Sequence, residues 1–171
     1  MGMLMSINRE QIIKQMTDYI INVLEKKRPE FSGMPVCPFV KPDRITEQLH
    51  LDVFDNTEES LVDVILRFVR SGKRSALIAQ PNEEIEFQET KGYREFINLV
   101  IQETTSEDIF ALCFNPKTDI EVDGYNPYQD APFFMINLAY SEHLSNARKT
   151  LLKTSYYDKM SEKYRNFLNL R

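Results

Sequence analysis

The stretch EQLHLDVFDNTEESLVDVILRFVRSGKRSALIAQ, residues 47–80, decides the fold. Ile45, Leu49, Leu51 and Val53 point one way while Gln48, His50 and Asp52 point the other, as a half-buried strand centred on 47–54 requires. Asn56 followed three positions later by Glu59 has the form of a capping box. Leu61, Val62, Ile65, Phe68 and Val69 then recur at helical spacing until Gly72 stops the helix. Ser75 to Gln80 reads as a short buried strand. Strand, helix and strand in this order imply parallel pairing through a crossover.

Upstream, Ser6 or Asn8 can cap a first helix whose apolar residues Ile12, Ile13, Met16, Tyr19, Ile20, Val23 and Leu24 carry it to Lys27, before Pro29 ends it. Downstream, Pro81 opens an acidic connector. A third helix follows with the stripe Tyr93, Phe96, Ile97, Val100 and Ile101, and a strand over 108–114 closes at Asn115-Pro116. Lys117 to Ala131 is rich in turn residues and long enough for a functional or mobile loop. Pro132 to Tyr140 is strand-like, with a helical start as the alternative, and Ser141 to Leu170 reads as one broken helix or two, with the break near Thr154-Ser155. The expected fold is therefore a single α/β domain over residues 1–171. It is a layered sandwich in which helices, including the N-terminal and C-terminal ones, cover a small, mainly parallel central sheet. Ligand sites in such sheets lie beyond the carboxyl ends of strands, here near Asp55, Gln80, Asn115 and Tyr140.

Composition narrows the function. With 171 residues, 42% of them hydrophobic, the chain can bury one real core. A net charge of −5 argues against a generic nucleic-acid binder, whose phosphate-tracking surface is usually basic. The basic exception is the tail, where Arg148, Lys149, Lys153, Lys159, Lys163, Arg165 and Arg171 face only Asp158 and Glu162. Apolar runs such as Phe133 to Leu138 fall far short of the roughly 20 residues of a membrane span. The methionine-rich start does not resemble a secretory signal, so the expectation is a cytoplasmic protein with reduced thiols and no membrane contact.

Cys37 is the sharpest chemical candidate. In Met34-Pro35-Val36-Cys37-Pro38-Phe39-Val40 two prolines stiffen the connector around the thiol. The thiolate can serve as a nucleophile, a redox centre or an axial haem ligand, while packing of a buried cysteine is the plain alternative. Cys113, between Leu112 and Phe114, reads as core. His50 and His143 complete the inventory, each a candidate haem ligand or general base, with His50 on a polar strand face and His143 at a helix start. Neither lies in a metal-binding spacing, which leaves any metal unassigned. Tyr125, Asn126, Tyr128 and Phe133 mix aromatic walls with polar groups, as a small-molecule pocket does and as an anchored loop also does. Nucleotide, serine-hydrolase and metalloprotease motifs are absent from the sequence.

The order of blocks matters more than any one of them. Cys37-Pro38-Phe39 after a first helix, Phe114-Asn115-Pro116 at a strand end, and Ala131-Pro132-Phe133 before a helical tail resemble the bacterial Cys-Pro-Phe proteins of unknown function. These are in turn similar to the YqcI/YcgG group, some of whose members are haem-dependent N-oxygenases in specialised metabolism. The resemblance implies a cytoplasmic α/β fold with a small-molecule pocket and haem as the candidate cofactor. Those relatives carry a histidine near the late proline block, whereas Asp130 to Met135 has none here. The leading expectation is a small-molecule-binding protein, an enzyme of bacterial specialised metabolism with haem or iron oxygenase chemistry as its most concrete form. The alternative is a non-catalytic module that engages a protein partner, or a second copy, through its loop or basic tail. The enzyme reading requires ionisable groups, chiefly Cys37, His50 and His143, to meet in one cleft, and the module reading requires them to be scattered beside an exposed apolar patch of several hundred (~300–600) Å².

Overall fold

The computed structural model describes residues 7–168, so Ser6, one of the two candidate caps, and the basic residue Arg171 lie outside it. Asn8 is the cap of helix α1, Arg9–Tyr19, its side-chain oxygen accepting from the Gln11 amide at 3.1 Å. The helix widens to π geometry over Ile20–Leu24. It is followed by a two-residue pair of strands, β1 Lys27–Arg28 and β2 Met34–Pro35, joined through Pro29–Phe31 and the left-handed Ser32 and Gly33.

The residues between Cys37 and the first long strand form helix α2, Val40–Ile45, where a connector and the start of a strand were expected. Pro42 is tolerated because it sits in the first turn, where an amide has no intrahelical partner. Strand β3 is Leu49–Val53 and pairs in parallel with β4, Ser75–Gln80, through helix α3, Leu61–Ser71. The cap of α3 is Ser60 with Asp63, four residues beyond the expected Asn56 and Glu59, and Gly72 closes the helix at φ 68°. The earlier pair loses because its groups are committed elsewhere. The Asn56 amide reaches Glu83, and Arg67 grips the Glu59 carboxylate.

The expectation of a mainly parallel sheet is corrected by the topology. Helix α4, Thr90–Thr104, leads to β5, Ile109–Phe114, which runs the same way as β3 and β4 but leaves a gap beside β4. Strand β6, Phe134–Tyr140, fills the gap antiparallel to both neighbours, giving the order β3-β4-β6-β5 with one parallel ladder of three. Alternating strands and helices dictate direction, but adjacency depends on where the long return from Asn115 lands, and periodicity carries no record of that.

Both sheet faces are covered. Val64, Ile65 and Phe68 of α3 and Ile97 and Ile101 of α4 pack on Ala76, Ile78, Ile136 and Leu138. On the other face Met16, Tyr19, Ile20 and Leu24 join Leu77, Ala79 and Met135. Every residue of β4 is buried, hence its unbroken apolar run. On the outer side of β5, Asn98 of α4 receives the Ala111 amide at 2.9 Å and donates to the Ala111 carbonyl at 3.3 Å.

The turn-rich loop is anchored. Val122 and Tyr125 pair across Asp123 and Gly124, both at positive φ, as a tight reversal requires. Tyr19 donates to the Pro127 carbonyl at 2.7 Å, and the Arg28 guanidinium lies 3.4 Å from the Tyr125 ring centre. Helix α5, Ser141–Leu152, stops close to the expected break, and helix α6, Glu162–Phe167, follows after a series of turns. Much of the basic character of the tail is used internally. Arg148 donates to the Leu168 carbonyl, Arg165 to that of Tyr157, and Lys159 to that of Pro29.

Candidate functional site

The face covered by α1, α5 and α6 holds a partly open cavity of about 160 Å³, walled by Cys37, Leu77, Phe114, His143, Leu151 and Tyr156 among others. It lies over the sheet surface, against the start of β4 at Ser75 and the late residues Asn137 and Ala139 of β6. This is not the crevice expected beyond the carboxyl ends of the strands: Asp55, Gln80, Asn115 and Tyr140 take no part in its walls. Asn115 instead ties the loop after β5 to Ile85 and Thr90.

Cys37 and His143 both line the cavity. The connector holding Cys37 is secured at two points: the Cys37 amide donates to the Leu24 carbonyl at 2.9 Å, and the Tyr156 hydroxyl donates to the Val36 carbonyl. Cys37 is partly accessible because it borders the cavity. Burial nevertheless pushes its thiol pKa up, the Phe39 and Val40 amides pull it back in part, and the Asp43 and Glu25 charges add to the rise. The thiol is therefore protonated at neutral pH. Alkylation by iodoacetamide at pH 7, followed by peptide mass spectrometry, should modify Cys37 more slowly in the native protein than in urea. Its rate should still be climbing above about pH 8.5, where a free thiol is half ionised. Fast native labelling with a plateau below that pH would show a thiolate instead.

His143, third in α5, is oriented by a residue that spacing did not single out. Asp43 of α2 is 3% exposed, and its Oδ2 accepts from Ser75 Oγ at 2.7 Å and lies 3.1 Å from His143 Nε2. Its Oδ1 is 3.2 Å from an Arg74 nitrogen. A carboxylate facing Nε2 selects the tautomer with the proton there, which leaves Nδ1 as an acceptor. Asp43 and His143 are a hundred positions apart. No local spacing could pair them, and the residue types alone were the available signal.

His50 does not join this site. Its ring lies on the opposite face of the sheet, 6.2 Å from the Phe68 ring, with Nε2 3.4 Å from Asp52 Oδ2 but out of line for a hydrogen bond. Of the loop residues, Tyr128 reaches the cavity, whereas Tyr125, Asn126 and Phe133 are not among its walls. Tyr125 lies under Arg28. Asn126 braces the loop through the Thr118 carbonyl and the Tyr128 amide, and Phe133 packs against the core. Cys113 faces α4, on the other side of β5 from Phe114, and burial raises its pKa to about 12. Reading along the sequence also missed the tyrosines of the tail, Tyr156, Tyr157 and Tyr164, which close the cavity.

The implied haem fits poorly. A space of about 160 Å³ is that of a cavity known to hold one benzene ring, whereas a porphyrin carries four pyrrole rings. The Cys37 thiol, a candidate axial ligand in this cavity, is held in its neutral form. Among the described residues no group of three or more His, Cys, Asp or Glu side chains is arranged to hold a metal ion. No helix among them is long and apolar enough to cross a membrane. No family model, no curated protein and no solved structure matches this chain.

Proposed function

We propose that this protein binds a small, largely apolar organic molecule in the cavity between the sheet and helices α5 and α6, and presents to it the Asp43–His143 pair as a proton-transfer group. One observation carries the reading. A buried carboxylate holds one nitrogen of a histidine that lines an apolar cavity, so the other nitrogen remains available to an occupant. Cys37, on the same wall, serves as a polarisable contact in its protonated state. Haem oxygenation, the expectation drawn from the Cys37-Pro38-Phe39 resemblance, is not carried forward because the space does not suit the macrocycle. A role in specialised metabolism rests on that resemblance alone.

The interaction-module reading is weaker on two counts. Its loop is fastened through Tyr19, Arg28 and Asn126, and several of its basic side chains are spent on backbone carbonyls.

The ligand reading is tested with toluene and indole added to ¹⁵N-labelled protein. Amide resonances of Cys37, Leu77 and Leu151 should shift saturably, and Ala147→Phe, which projects a ring into the cavity, should abolish the shifts while preserving spectral dispersion. Shifts that persist in that variant, or that map to other residues, would overturn it.

A further inference from the structure

Tyr128 and Tyr164 meet at the cavity wall with their hydroxyl oxygens 3.3 Å apart. Both residues are deeply buried, with 4% and 2% of their surface exposed. Two hydroxyl groups bring two protons, and a single hydrogen bond between them uses one. Whichever oxygen accepts, its own proton points away from the pair with no acceptor among the described residues. A buried donor without a partner is costly, and a polar group of this kind in a mainly apolar wall helps set the orientation of an occupant.

We infer that the occupant is a single-ring organic molecule carrying a hydrogen-bond acceptor, such as a carbonyl oxygen, which receives the spare proton of the Tyr128–Tyr164 pair. This rests on the ligand-binding reading above and adds the class of ligand to it. Size and chemistry agree: the cavity has room for about one six-membered ring, its walls are mainly aliphatic and aromatic, and burial raises both tyrosine pKa values, which keeps the two protons in place. The same wall offers His143 Nδ1 as an acceptor, so a ligand with a donor at a second position would be held at both ends.

The test uses acetophenone and isopropylbenzene, which differ chiefly in whether the ring substituent bears an acceptor. Binding of each is measured by NMR titration to the wild-type protein and to Tyr128→Phe/Tyr164→Phe, which keeps both rings. The double variant should weaken acetophenone about tenfold, the worth of one hydrogen bond, and leave isopropylbenzene within about twofold. Bound to the wild type, acetophenone should also show a carbonyl stretch lowered from its value in hexane, a shift lost in the variant. If both compounds bind the wild type but the variant affects them equally, or the stretch is unshifted, the inference falls while the ligand-binding reading stands. If neither compound binds the wild type, both fall together.

Discussion

Phe68→Ala should lower the free energy of unfolding by about 3–5 kcal/mol, read as a shift in the urea midpoint at unchanged slope. Phe68 is fully buried on α3, with its ring 5.7 Å from that of Tyr140 on β6 and 6.2 Å from that of His50 on β3. It therefore fills the space between a helix and two strands that are not themselves neighbours. Alanine leaves a void bounded by a rigid sheet, which cannot collapse to close it, so the cavity penalty adds to the lost transfer energy. Phe68→Leu should cost less than half as much, because most of the volume is retained. A cost under about 1 kcal/mol for the alanine variant would mean that α3 repacks freely and that the helix is not docked as described.

Asp52→Ala should cost about 2–3 kcal/mol near neutral pH, at the lower edge of what breaking a buried ion pair costs, because the guanidinium groups left behind are partly in water. Asp52 is buried beneath Arg9 at 2.5 Å and Arg67 at 2.8 Å, and it also accepts from the Val53 amide at 2.8 Å. Arg67 keeps Glu59 when Asp52 is removed, and Arg9 is about half exposed, which limits the loss. The interaction ties α1 to α3 across the first strand of the sheet.

Its pH dependence has a definite sign. Burial alone would raise the Asp52 pKa, but His50, Arg67 and the Val53 amide outweigh it and hold the carboxyl well below the usual carboxylate range. A group depressed in the folded state contributes fully above its unfolded value, near 3.9, and loses its contribution as the pH falls further. Urea titrations should therefore show a constant gap between wild type and Asp52→Ala from about pH 5 to pH 8, narrowing below about pH 4. A gap that widened in acid would show that Asp52 is protonated in the folded protein.

The parts legible in the sequence are those held by local chemistry. The α3 stripe ending at Gly72, the buried run of β4 and the break after α5 all follow from neighbours within a few residues of each other. The cap of α3 was misplaced because Asn56 and Ser60 each precede an acidic residue by three positions, and only the tertiary partners of Asn56 and Glu59 decide between them. The position of β6 was invisible for the same reason on a larger scale. At the site, Cys37 and His143 stood out by residue type, and both line one cavity. Asp43 did not stand out, since it lies in a short helix that opens with a valine and contains a proline, against the usual signals for a helix start. The tyrosines of the tail were not singled out, because nothing in their own neighbourhood marks them as cavity residues. Their role depends on the tail folding back over the sheet, held there by Arg148, Lys159 and Arg165 on backbone carbonyls.

The outer side of β5 carries a consequence for how copies of this chain behave together. A strand at the margin of a sheet offers a row of open amides and carbonyls on which another polypeptide can lay a strand of its own. At Ala111, midway along β5, both of those groups are already taken by the carboxamide of Asn98, which reproduces the pairing an incoming backbone would make. An invading strand would have to displace Asn98 and the helix that carries it before gaining its central pair of bonds. Asn98 thus makes the sheet self-terminating on that side: it completes the ladder from within the same molecule and leaves no template at its middle for fibril growth or strand exchange.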